Sequence, residues 1–271
     1  SGTLTRSVNL NAGSPAGSWA STTAADGTIY VASFQPGMLW SYKPGAAKAT
    51  RLAVIPSAQV PFALAAGPGG VVYIGGYPDG IVYRYVPGRS GVIPYINAKK
   101  LTGQQYVRSL AVDGTTRTLY VGVGTRAGVL ACGERTRICS NILPKALRGQ
   151  QFAYQLAAAP GKVFVYLSPS NDLAVLNVTA MPDGTYRGAL AARISGVSYP
   201  GASAPVDGSV YYRGAAGKLF SYDLASGATS VAAASFPGTR GWGAVRLQDQ
   251  TRYPGMTLLA ATGSPGGVDI T

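Results

Sequence analysis

The chain has 271 residues, 46% of them apolar and only 12% charged, enough apolar side chain for a sizeable core with about half the usual share of charge. It carries 23 Lys and Arg against 10 Asp and Glu, a net charge of +13, and no histidine. The missing histidine excludes Ser-His-Asp and Cys-His catalysis, a histidine general base and most transition-metal sites. Apolar runs such as Val163-Phe164-Val165-Tyr166-Leu167 are strand-sized, too short for a membrane-crossing helix.

Taken in chain order, Ser1-Gly2-Thr3 reads as a processed end or an expression scar, with no signal peptide expected within the sequence. Thr3-Leu-Thr-Arg-Ser-Val-Asn-Leu10 reads as a strand resembling the later Ala49-Thr-Arg-Leu-Ala-Val-Ile55. From there a short β segment, usually behind a glycine turn, recurs six times: Gly27-Thr-Ile-Tyr30, Gly70-Val-Val-Tyr73, Arg117-Thr-Leu-Tyr120, Gly161-Lys-Val-Phe164, Gly208-Ser-Val-Tyr211 and Met256-Thr-Leu-Leu259. Their fourth residues are spaced by 43, 47, 44, 47 and 48. Most are followed by a turn and a second strand, as in Met38-Leu-Trp-Ser-Tyr42, Ile81-Val-Tyr-Arg-Tyr85 and Lys218-Leu-Phe-Ser-Tyr222. Several are preceded by an alanine-rich stretch, as in Phe62-Ala-Leu-Ala-Ala66 and Ser109-Leu-Ala-Val112. The 37 glycines and 18 prolines, scattered along the chain, suit many short elements joined by turns.

A repeat of this length, built as a small-residue inner strand, two large apolar strands and a more polar outer strand, predicts the blades of a β-propeller. The 12 residues after Leu259 and the 30 up to Tyr30 together make about one repeat. The prediction is therefore an all-β, six-bladed propeller forming one domain over 1–271. Strands a to c of the last blade stand at the C-terminus and strand d at the N-terminus, a closure that leaves no unpaired sheet edge. The rival is a seven-bladed propeller of which this chain holds a part.

Cys132 and Cys139 are spaced for a disulfide across a hairpin, which predicts an exported protein, secreted, periplasmic or on the cell surface. Two thiolates without histidine leave too few ligands for zinc, so no metal is expected. Glu134 is the only glutamate, and Asp26, Asp113, Asp183 and Asp207 each precede a glycine in turn context. Asp79, in Tyr77-Pro78-Asp79-Gly80, is the aspartate retained as a candidate functional residue.

The Gly-(Val/Ile)-Tyr strands and their period resemble secreted bacterial β-propellers of the gluconolactonase-like, streptogramin-lyase-like and quinoprotein-like kinds. The resemblance covers the whole chain and implies a fold, with no active site carried over. Gluconolactonase-like propellers hold a divalent metal with a Glu/Asn/Asp set, and this chain lacks the glutamate in a suitable place. Streptogramin lyases depend on histidine, and the tryptophan docking signature of quinoprotein blades is absent. No cofactor is expected.

Propeller ligands bind at the face formed by the d–a and b–c loops. The repeat places Trp19, Phe62, Tyr106, Tyr154, Tyr199 and Trp242 near the starts of the inner strands, with Gln59, Gln104, Gln105, Gln150, Gln151, Arg108 and Arg240 close by. Tyr77, Asp79 and Arg126 fall in b–c loops. Aromatic rings stack on pyranose faces, amides bond hydroxyls, and guanidinium groups pair with carboxylates or sulfates. The expected partner is thus an acidic polysaccharide or other polyanion, bound by a monomer. Two alternatives stand beside it. One is a polysaccharide lyase with Tyr106, Tyr154 or Tyr199 as base and acid and Arg108 or Arg126 neutralising the uronate. The other is a protein-interaction or sensor domain of a larger protein. Charge alone also allows nucleic acid, but no basic run or recognised module supports it.

Overall fold

The computed structural model describes residues 10, 17–56 and 60–235 and the strand backbones 239–245, 257–262 and 269–270, with side chains up to 232 other than that of 215. Each predicted repeat unit forms a small antiparallel sheet. The first pairs β1 (Gly17–Thr23), β2 (Ile29–Phe34), β3 (Met38–Tyr42) and β4 (Thr50–Val54) in chain order. The second does the same with β5 (Val60–Ala66), β6 (Val72–Tyr77), β7 (Ile81–Tyr85) and β8 (Val92–Asn97), followed by the short helix α1 (Ala98–Thr102). The third set is β9 (Tyr106–Asp113), β10 (Thr118–Gly124), β11 (Gly128–Gly133) and β12 (Cys139–Asn141). The fourth is β13 (Phe152–Ala159), β14 (Lys162–Ser168), β15 (Asp172–Ala180) and β16 (Tyr186–Ile194), touching the third through the pairing of Gly124 with Phe152. Then β17 (Ser209–Arg213), β18 (Lys218–Asp223) and β19 (Thr229–Ser235) form a sheet whose inner edge is the isolated bridge from Ala202 to Tyr212. Finally β20 (Thr239–Val245), β21 (Thr257–Thr262) and β22 (Asp269–Ile270) pair as three strands. The fourth strand expected for this last sheet, at 3–10, lies outside the described residues.

The second strands of sheets two to four, β6, β10 and β14, are buried on both faces because side chains alternate and each face meets a different neighbour. Val72 and Ile74 pack with Tyr30 and Leu39 of the first sheet, whereas Tyr73 between them packs with Leu119 and Val121 of the third. Tyr120 and Val163 repeat the pattern between sheets three and four, and Phe164 and Val210 between four and five. Tyr73, Tyr120 and Phe164 are fully buried, each removing an aromatic side chain from water at a gain of about 2–3 kcal/mol. The successive sheets therefore stack as propeller blades, with their cores in the gaps between sheets.

Where inner strands converge, side chains no longer fit. A Cβ on Gly122 would lie 2.2 Å from the Ser109 Oγ and 2.8 Å from the Ala153 carbonyl oxygen, and one on Gly75 would lie 2.2 Å from a Val107 methyl. Ser109 uses the space to donate to the Ala153 carbonyl at 2.7 Å, joining sheets three and four. Asp113 joins the same pair at the opposite end, accepting from Thr115 and Thr116 in its own turn and from Gly161 in the next sheet at 3.0 Å. The Cys132–Cys139 disulfide is formed, across paired positions of β11 and β12, as the spacing predicted.

Candidate functional site at the mouth of the sheet array

Because the sheets are antiparallel, the starts of the inner strands and the turns between second and third strands share one face. Near that face β1, β5, β9, β13 and β20 each slip register by one residue, at Trp19, Phe62, Arg108, Tyr154 and Arg240 respectively. A β-bulge takes its extra residue out of the ladder and re-aims the side chain. Five inner strands thus carry a large side chain at one equivalent, unpaired position.

The described members of this set meet. Trp19 lies 6.4 Å from Phe62 between ring centroids, and the Arg108 guanidinium sits over Phe62 at 4.9 Å and over Tyr154 at 4.0 Å. Tyr154 meets Tyr199 edge-on at 5.6 Å. Tyr106, the first residue of β9, stacks on Tyr77 at 4.2 Å and lies 5.9 Å from Phe62 and 5.7 Å from Phe152. The result is a continuous aromatic arc from Trp19 to Tyr199 with one guanidinium set into it. Its two ends are open to solvent, Trp19 being 63% and Tyr199 53% exposed.

Arg108 is half-buried, with no carboxylate in ion-pair range and no protein acceptor for its N–H groups among the described residues. Arg193 and Arg117 differ, lying 2.6 Å from Asp172 and 3.5 Å from Glu134. A guanidinium sandwiched by rings keeps its charge and its donor edge, so the arrangement is suited to an incoming anion. Tyr166, behind Tyr154, has its hydroxyl pushed up by burial and then by Tyr154 and Tyr199, and it donates to Asn171 at 2.6 Å.

The sequence-predicted residues divide accordingly. Trp19, Tyr77, Tyr106, Arg108, Tyr154 and Tyr199 are brought together, and Phe62 with them. Arg126 is exposed on the turn after β10, where its backbone N–H donates to the Gln104 side chain at 2.8 Å. Gln150 accepts from Ser170 in the same way one sheet later, so the paired glutamines brace the b–c turns. Asp79 accepts from the Ile81 N–H at 2.9 Å and the Tyr83 hydroxyl at 2.7 Å, which commits both its oxygens to the turn. The side chains of Arg240 and Trp242 lie outside those described. By register Arg240 shares the bulge position, whereas Trp242 stands where Leu64, Leu110 and Leu156 stand in their sheets. Phe34 and Phe152 join the arc without having been singled out. Their signal was available, since each ends or begins a strand beside a residue that had been selected.

No family model matches the chain, and no curated protein matches it. Many solved structures are similar in shape, two of which illustrate the likeness. The crystal structure of a nidogen/laminin complex matches with a TM-score of 0.60 and 13% identity over 81% of this chain and 80% of that one. Selenomethionine-substituted virginiamycin B lyase from Staphylococcus aureus matches with a TM-score of 0.62 and 12% identity over 94% of this chain and 84% of that one. At such identities the likeness shows the fold alone: the chain has a β-propeller fold, in keeping with the resemblance read from its repeat.

Proposed function

We propose that the chain is an exported six-bladed β-propeller, its last blade completed by the N-terminal strand, that binds an acidic polysaccharide at the mouth of its b–c face. The observation carrying this reading is Arg108, set by a bulge between Phe62 and Tyr154 and without a carboxylate partner among the described residues. The rings supply stacking platforms for pyranose faces, and the guanidinium supplies a forked donor for a uronate carboxylate or sulfate. In a ring of six, the third and sixth blades stand opposite, so the bulge positions of Arg108 and Arg240 fall on opposite sides of the mouth. The disulfide supports the export part of the reading.

The test is affinity electrophoresis and thermal shift against a panel of uronic-acid polysaccharides, with neutral glucans as controls. Retardation by polyuronates that falls about tenfold or more in Arg108→Ala and Trp19→Ala is the expected result. Indifference to every glycan would leave the interaction-domain reading. The lyase named among the structural neighbours makes product absorbance a necessary second readout. Unsaturated products accumulating with wild type and not with Tyr154→Phe would instead establish the lyase.

A further inference from the structure

The opposite face, formed by the a–b and c–d turns, carries a second concentration of arginine. At the junction of sheets two and three, a cavity of about 300 Å³ is lined by Arg84, Arg117, Arg135 and Arg137 together with Pro68, Tyr95 and Glu134. Its lining bears a net charge of +3. Glu134 is buried and fully engaged: Oε1 accepts from the Tyr73 hydroxyl at 2.7 Å, Oε2 from Arg117 at 3.5 Å, and its carbonyl from the Tyr95 hydroxyl. It offsets one guanidinium and leaves three. The Tyr95 ring supports two of these, with Arg84 and Arg137 at 5.3 and 5.4 Å from its centroid. The Nε of Arg84 is buried without a hydrogen-bond acceptor among the described residues, a state that is unfavourable for a charged donor.

Arg117 and Arg137 adopt the left-handed backbone conformation, at φ of 53° and 57°, in the turns that bring them to the cavity. The Cys132–Cys139 bond closes the turn that carries Glu134, Arg135 and Arg137, fixing those groups against sheet two.

We propose that this cavity is a binding site for a tetrahedral oxyanion, a phosphate or sulfate group, gripped by Arg84, Arg117, Arg135 and Arg137. Guanidinium forks match the edges of such a group, and three uncompensated charges favour a dianion over a carboxylate. The site is independent of the mouth, which lies on the other face.

Calorimetric titration of the full chain with inorganic phosphate and with sulfate, at ionic strength held constant with sodium chloride, tests it. One saturable site is expected, weakened about tenfold by Arg137→Gln and several-fold by Arg135→Gln. Both positions are exposed, so both variants fold. Arg108→Ala is expected to change the affinity by less than about twofold. A phosphate monoester of a simple sugar titrated in parallel separates the sources. Tighter binding of the ester assigns the site to a group carried on a larger molecule, and equal or weaker binding assigns it to the free ion. Absence of saturable binding by phosphate, sulfate and ester, or binding unchanged in both arginine variants, overturns the proposal.

Discussion

At the scale of single residues, the molecule uses its few carboxylates to hold turns and sets Arg108 against aromatic rings with no carboxylate partner among the described residues. Asp113 and Asp79 are spent on turn N–H groups and on neighbouring strands. Asp172 is buried at the start of β15, where Arg193 donates to its Oδ2 through Nε at 2.9 Å and Nη2 at 2.6 Å. Burial alone pushes the Asp172 carboxyl up. Hydrogen bonds from Ser195 and Arg193 and the Arg193 charge outweigh that and hold it below its ordinary value. A depressed folded-state value means the stabilisation is complete above the unfolded-state pKa, about 3.9, and is lost as pH falls through the folded value. Asp172→Asn should therefore lower stability at neutral pH and flatten the acid limb below about pH 4, read from urea unfolding at a series of pH values. An acid limb as steep as that of wild type would remove this pair from the explanation.

Elements show why some of the structure was legible in the sequence and some was not. The second strands of sheets two to four announced themselves because both their faces are buried, turning each into an apolar run behind a turn, as at Gly70-Val-Val-Tyr73. The cysteine hairpin was legible too, since seven residues of separation fit paired positions on adjacent strands. The bulges were not: a one-residue slip leaves composition unchanged and shows only when inner strands are paired residue by residue. Even so, the aligned runs Phe62-Ala-Leu-Ala, Arg108-Ser-Leu-Ala and Tyr154-Gln-Leu-Ala held the hint that Arg108 is equivalent to a ring. The arginine cavity had no sequence signature, because Arg84 and Arg137 come from different sheets and meet only over Tyr95. The hairpin itself is open to measurement. Closing so short a loop contributes about 2–3 kcal/mol through the unfolded state, so Cys132→Ala with Cys139→Ala should lose about that much in denaturant unfolding. A loss below about 0.5 kcal/mol would mean that strand pairing alone holds the turn.

Over the whole molecule, the fold is an array of like sheets with two chemically distinct faces. The interiors between sheets repeat the same apolar scheme, while the mouth gathers rings around Arg108 and the opposite face gathers arginines around Glu134. With a net charge of +13, polyanions are drawn to the surface generally, so salt-sensitive attraction by itself says little about a specific site. Recognition at the mouth has to show itself as dependence on one guanidinium. The most direct measurement compares the affinity of wild type and Arg108→Ala for a polyuronate and for the same polymer with its carboxylates reduced to alcohols. The expected result is a preference of about tenfold or more for the charged polymer in wild type that collapses in the variant, while affinity for the neutral polymer changes little. An Arg108→Ala protein that keeps the full preference would contradict the assignment of carboxylate recognition to the mouth.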